Sequence, residues 1–175
     1  TGLGAVTNTA GVETGSRVAI IGCGGVGLNA IQGAVLSGAS QIIAIDILAN
    51  KLAAAREFGA THTLNAREGD VVKAVFGLTE GRGVDYAFAT VGSPRAIEQV
   101  IDMVHQTGTA VIVGMPANNE VIFSVNAHHM TNGRTITGSP MGSTRLFVDV
   151  PRLVQLYQNG RLKLDELITK RYPLD

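Results

Sequence analysis

One segment constrains this chain more than any other. An apolar run at 18–21 stops at Gly22-Cys23-Gly24-Gly25-Val26-Gly27, a small-residue helical pattern follows, and a second apolar run closes on Asp46. This is a G-x-G-x-x-G turn between a buried strand and a helix, with an acid about twenty positions further on. The glycines serve different ends. Gly22 makes a tight turn, Gly24 leaves a bare backbone where a pyrophosphate can approach, and Gly27 carries no side chain, so that helix and strand pack closely. The amides that open the helix then face the phosphates. Asp46 is placed to accept both ribose hydroxyls of an adenosine, and its charge repels a 2′-phosphate, so the pattern favours NAD over NADP. Glycine-rich turns are common in a chain with 22 glycines among 175 residues, so the motif alone is weak. Its setting in one strand, turn, helix, strand and acid unit is what gives it weight.

The rest of the chain repeats that alternation. Strands are expected near 17–21, 41–46, 61–64, 84–89, 109–114 and 134–138, and helices near 25–37, 49–58, 69–76, 94–104 and 146–159. Such alternation predicts an α/β fold, a doubly wound six-stranded parallel sheet (the Rossmann fold) with helices on both faces. Strands that run continuously apolar, as at 18–21 and 110–113, suit a sheet covered on both sides. Ser93-Pro94 reads as a helix N-cap followed by proline at the first helical position, and Gly59 as a helix end. Gly92 and Gly114 close apolar strands at the crevice side, where glycine lets a ligand lie against the backbone. With 45% hydrophobic residues the whole chain, 1–175, is expected to form a single domain.

Composition excludes several functions. Formal net charge is zero, with the basic residues scattered, so no electrostatic footprint for nucleic acid is expected. No apolar run approaches the ~20 residues of a membrane span, and no signal segment opens the chain. The single cysteine, Cys23, cannot form an internal disulfide, which agrees with a reducing, cytoplasmic compartment. Thr1 in place of Met implies an amino terminus that is processed or cut from something longer.

Several stretches together resemble the medium-chain, zinc-dependent alcohol dehydrogenases. They are Thr1-Gly2-Leu3-Gly4-Ala5, the run 8–16, Gly22 to Leu28, Asp46-Ile47 with Lys51, the run 53–60, Gly83-Val84-Asp85-Tyr86, Val111 to Pro116 and Gly133-Arg134-Thr135. The resemblance covers essentially the whole chain and keeps the family order. It implies a coenzyme-binding domain in which Gly24, Gly25 and Val26 hold the pyrophosphate, Asp46 and Lys51 meet the adenosine ribose, and Ile47 flanks the adenine, with Thr90 and Val91 lining that side. Val113, Gly114 and Met115 match the stretch past the nicotinamide ribose. Ser139 and Met141 match positions whose backbone groups hold the carboxamide, and Thr1 matches a threonine near the nicotinamide ring. By the same resemblance, zinc belongs to the parent enzyme only: its ligands come from an amino-terminal domain and from a cysteine just before the segment that begins here. No catalytic residue and no metal ligand is therefore expected in this chain, which should bind NAD but not catalyse.

The adjacent His128 and His129 do not share a helix face as a ligating pair would, and His62 and His105 look like surface or helix-end residues. The resemblance further implies a homodimer through the edge strand near Arg134 to Gly138. The substrate, a small alcohol or aldehyde, is left open. Two other classes compete. An S-adenosylmethionine-dependent methyltransferase-like domain can also carry Gly-Cys-Gly, but usually with an acid two positions before the first turn glycine, where this chain has Ile20. A non-catalytic nucleotide-binding module could use the same fold.

Overall fold

The computed structural model describes residues 1–118 and 121–174, which gather into two compact units, Thr1–Ser143 and Thr144–Asp175. The first holds a six-stranded sheet of β1 (Arg17–Ile21), β2 (Gln41–Asp46), β3 (His62–Asn65), β4 (Val84–Ala89), β5 (Val104–Ile112) and β6 (Thr135–Gly138). The spatial order is β3-β2-β1-β4-β5-β6 and every pairing is parallel. It is the doubly wound arrangement expected from the alternation, with its switch point between β1 and β4. Covering helices are α2 (Gly25–Leu36), α3 (Ala49–Glu57), α4 (Val71–Leu78) and α5 (Pro94–Met103).

Strands buried on both faces explain the unbroken apolar runs. Ala19, Ile21, Ile43, Ile45, Ala87 and Ala89 pack in one cluster with Val71 and Val75 of α4 and Ile97, Val100 and Ile101 of α5. Their neighbours Val18, Ile20, Ile42 and Ala44 are equally buried, and by the alternation of a strand they face the opposite side.

Most ends fall within two residues of expectation, and the shifts have local causes. Helix α4 begins at Val71 rather than 69 because Asp70 caps it, its side chain accepting from the amides of Val72 and Lys73 at 3.0 and 3.1 Å. Pro94 opens α5 as expected, and Ser93 occupies the N-cap position, but the Ser93 side chain makes no capping bond. Gly59 follows α3 with φ +109°. The fifth strand differs more. It begins at Val104, which pairs with Val84, and the register shifts before Tyr86 meets Thr109. Asp85 accepts from His105 Nε2 at 3.0 Å, anchoring the polar residues of that irregularity. The strand also stops at Ile112, so Val113 and Gly114 belong to the loop beyond it.

Helical segments also form where none is expected. The chain opens with a short helix α1 (Gly2–Gly4) that runs into a π-helical stretch, Ala5–Ala10. Glycines on both partners permit close contact with α2: a Cβ on Gly2 would lie 1.9 Å from the carbonyl oxygen of Val26, and one on Gly33 of α2 would lie 3.0 Å from Val6. A second, α6 (Ala127–Thr131), carries His128 and His129 and is capped by Asn126, which accepts from the His128 amide at 3.0 Å.

The second unit is built on α7 (Leu146–Gln158), with Pro151 in its interior. The buried carboxylate of Asp149 accepts from the Arg145 amide at 2.8 Å, and the Tyr157 hydroxyl donates to Asp165 at 2.6 Å, tying the short helical turn Asp165–Leu167 to α7. Among the described residues no helix is long and apolar enough to cross a membrane.

Candidate cofactor site

Parallel register decides what meets what at the carboxyl edge of the sheet. Ile21 pairs with both Ile45 and Ala89, Ala89 pairs with Ile112, and Ile112 pairs with Gly138. Asp46, the last residue of β2, and the residues just past the other strands, Gly22, Thr90, Val113 and Ser139, therefore stand side by side at the sheet edge. Five segments far apart in sequence become one row.

The glycine turn divides cleanly by exposure. Gly22, Cys23 and Gly27 are buried, whereas Gly24, Gly25 and Val26 are exposed. Gly22 has φ +98°, a conformation that L side chains rarely adopt, and a Cβ there would also meet Thr90 Oγ1 and Val91 Cγ1 at 2.7 Å. A Cβ on Gly27 would sit 1.7 Å from the Gly22 carbonyl oxygen, so helix and turn touch through their backbones. Cβ atoms on Gly24 and Gly25 would meet nothing within 4 Å. Gly24 is the N-cap of α2, and no side chain caps the helix. The first four amides of an α-helix have no intrahelical acceptor. Here they open beside bare, exposed backbone with the positive end of the helix dipole behind them, which is the chemistry of an anion cradle.

Asp46 is held across from that cradle. Its Oδ2 accepts from the Cys23 amide at 2.7 Å and its Oδ1 from the Leu48 amide at 3.0 Å. Thr90 Oγ1 lies 2.9 Å from the Ile21 carbonyl oxygen and 2.8 Å from that of Gly22, joining the end of β4 to the turn. The Cys23 side chain points inward with Sγ 3.8 Å from the Ile45 carbonyl oxygen. Burial, reinforced by the Asp46 charge and opposed by Lys51, pushes the thiol up to about 12. It stays protonated and packs as a small apolar group.

Next to Asp46 lies a cavity of about 350 Å³. Its lining includes Ile21, Gly22, Asp46 and Ile47 and, from the β4–α5 connection and α5, Val91, Ser93, Arg95, Ala96 and Gln99. The sequence points to Ile47 and Val91 at such a site but not to Ser93, Arg95 or Gln99. Their signal was the polar spacing on the first turns of α5, directly after a strand end. Val26, Ile47, Val91, Met115 and Met141, each just past a strand or near its end, are all exposed.

Ser139 is buried: its amide donates to the Ile112 carbonyl at 2.9 Å, and its hydroxyl lies 2.7 Å from that of Thr9. Met141 is exposed with φ +49°. Thr1 is exposed nearby, its carbonyl oxygen 2.4 Å from the position a Cβ on Gly142 would take. Thr1, Ser139 and Met141 thus gather at one place. Gly92 and Gly114 lie against neighbouring backbone. A Cβ on Gly92 would lie 2.0 Å from the Met115 carbonyl oxygen and one on Gly114 would lie 2.3 Å from the Val91 backbone, so these glycines let two loops touch each other. Among the described residues, no three of His, Cys, Asp and Glu converge as a metal site requires. His129 Nδ1 faces Asp102 alone, at 3.3 Å.

The family model of zinc-binding dehydrogenases matches residues 25–159. The chain belongs to the zinc-binding dehydrogenase family. It is 42% identical to a Schizosaccharomyces pombe protein named probable S-(hydroxymethyl)glutathione dehydrogenase 1, over 99% of this chain and 46% of that protein. The benzyl alcohol dehydrogenase of Acinetobacter calcoaceticus is similar in structure, with a TM-score of 0.91 at 35% identity over 95% of this chain and 46% of that one. A Sinorhizobium meliloti protein described as a zinc-binding dehydrogenase and solved bound to NADP gives a TM-score of 0.84 at 28% identity, over 95% and 49%. The chain spans about half the length of the relatives it matches. The family match leaves the methyltransferase reading without support.

Proposed function

We propose that this chain is the NAD-binding portion of a zinc-dependent alcohol dehydrogenase. The observation that carries the reading is the uncapped start of α2 at Gly24–Val26, bare and exposed, facing a carboxylate fixed at the end of β2. The amides of Gly24, Gly25 and Val26 hold the pyrophosphate, with Gly22 and Gly27 shaping the turn. Asp46 accepts from the ribose hydroxyls, and Lys51, on the first turn of α3, supplies a second polar contact. Ile47 and Val91 sandwich the base, with Thr90 behind them. Val113, Gly114 and Met115 line the path to the nicotinamide end, where backbone groups of Ser139 and Met141 and the nearby Thr1 orient the ring. NAD held by these residues would supply a hydride acceptor for an alcohol substrate. What these residues contribute is position: they fix the ring against the substrate.

The donor set for zinc does not fit these residues, so no step is drawn through a metal here; the reading assigns zinc and most of the substrate pocket to the remainder of the parent enzyme. Small alcohols or aldehydes are its proposed substrate class.

Calorimetric titration with NAD and NADP tests the reading. NAD is expected to bind at least about tenfold more tightly, because a 2′-phosphate would be forced against Asp46. Equal affinity, or preference for NADP, would remove the NAD assignment, and binding of neither would remove the cofactor reading for this chain.

The same reading makes the chain a homodimer through β6. That strand is outermost in the sheet, bonded to β5 on one side only, and an open edge is a template for pairing. Sedimentation at micromolar concentration should give a dimer, and substitution of Ile136 by proline should give monomers. A monomeric wild-type chain would reject the interface.

A further inference from the structure

Two polar side chains of the cavity beside Asp46 are without work inside the protein. Arg95 and Gln99 lie one helical turn apart on α5, both line the cavity, and neither makes a hydrogen bond or ion pair with any described residue. Gln99 is half-buried, so its carboxamide is partly withdrawn from water while its donors and acceptor stay unused. The rest of the lining is apolar apart from Ser93 and the Asp46 carboxylate, which is already engaged by Cys23 and Leu48. Ile47 and Val91 therefore offer apolar faces for a flat ring, and Gln99 of α5 is the one side-chain amide among the described lining residues.

We propose that Gln99 reads the edge of the cofactor's base, accepting from the 6-amino group of adenine and donating to N7, while the Arg95 guanidinium lies over the ring. This rests on the cofactor reading above and adds the residues that choose the base. A carboxamide matches adenine's donor and acceptor pair in bidentate fashion. A 6-oxo purine presents two acceptors on that edge, one of which the carboxamide oxygen opposes. Arg95 contributes through the face of the ring and is indifferent to the edge.

The test compares NAD with its hypoxanthine analogue, in which the 6-amino group is a 6-oxo group, by calorimetry on the full chain. Wild type should bind NAD about tenfold more tightly than the analogue, the discrimination one bidentate pair supplies. Gln99→Leu should bring the two affinities within about twofold of each other, by losing NAD affinity rather than by gaining the analogue. Arg95→Ala should weaken both by about the same factor, roughly fivefold. Equal affinities in wild type would overturn the proposal, and that comparison needs no variant to fold. Retention of the tenfold ratio in a folded Gln99→Leu protein would overturn it as well. Failure of wild type to bind either nucleotide would instead overturn the cofactor reading, and this assignment with it.

Discussion

The carboxylate of Asp46 accepts a hydrogen bond from the backbone amide of Cys23 at 2.7 Å, so the acid that closes β2 holds the glycine turn in place. Its other oxygen is used by the Leu48 amide, and both duties call for acceptors. Asp46→Asn has one acceptor oxygen for two donors. One amide loses its partner, so unfolding stability should fall by about 1–2 kcal/mol in denaturant titration, together with NAD affinity. A variant as stable as wild type that binds NAD equally well would show that this carboxylate neither holds the turn nor meets the ribose.

Gly24 and Gly27 separate binding from folding. Alanine at Gly24 places a methyl group in open space at an ordinary backbone conformation and should cost no more than about 1 kcal/mol, the loss of a tolerated N-cap residue. It should nevertheless abolish measurable NAD binding, because the methyl stands where the pyrophosphate approaches. Alanine at Gly27 drives its Cβ into the Gly22 carbonyl and should destabilise by about 3 kcal/mol or more. Thermal melts beside calorimetry distinguish the two. Unchanged binding by Gly24→Ala would disconnect the turn from the phosphates.

Thr90 fastens β4 to the turn through one hydroxyl shared by two carbonyls. Thr90→Val keeps the shape and removes the donor, and it should cost about 1 kcal/mol and a few-fold in NAD affinity. Thr90→Ser restores the donor and should recover most of both. Equal behaviour of the valine and serine variants would assign the residue to packing alone.

The Cys23 thiol, pushed up to about 12, should be inert to a thiol reagent at pH 8 and react promptly once the chain is unfolded. Because its folded value lies above the unfolded value, its contribution to stability is complete below about pH 9 and is lost as pH rises through the folded value. Cys23→Ala should remove that part of the alkaline destabilisation. Rapid labelling of the native chain would contradict the buried placement.

Much of the fold was legible because its rules are local. Apolar runs, cap residues such as Asp70 and the proline at 94 place strands and helices without knowledge of their partners. The missed helix at Gly2–Gly4 shows the limit: glycines read as loop signals, yet here they are what lets a helix lie against α2. Likewise Gly92 and Gly114 carry no sign in the sequence of whether a ligand or another loop comes close.

The winding order, the turn with its differentiated glycines and the acid at position 46 are written in the order of residues alone. They follow from periodicity and from the conformations that only glycine adopts. Packing in three dimensions settles the rest: which strand ends stand in one row, which glycines lie against neighbouring backbone and which stand open, and that Arg95 and Gln99 line one cavity with Asp46. Those depend on register and on crossing connections, and on distances between residues dozens of positions apart, which no local pattern encodes.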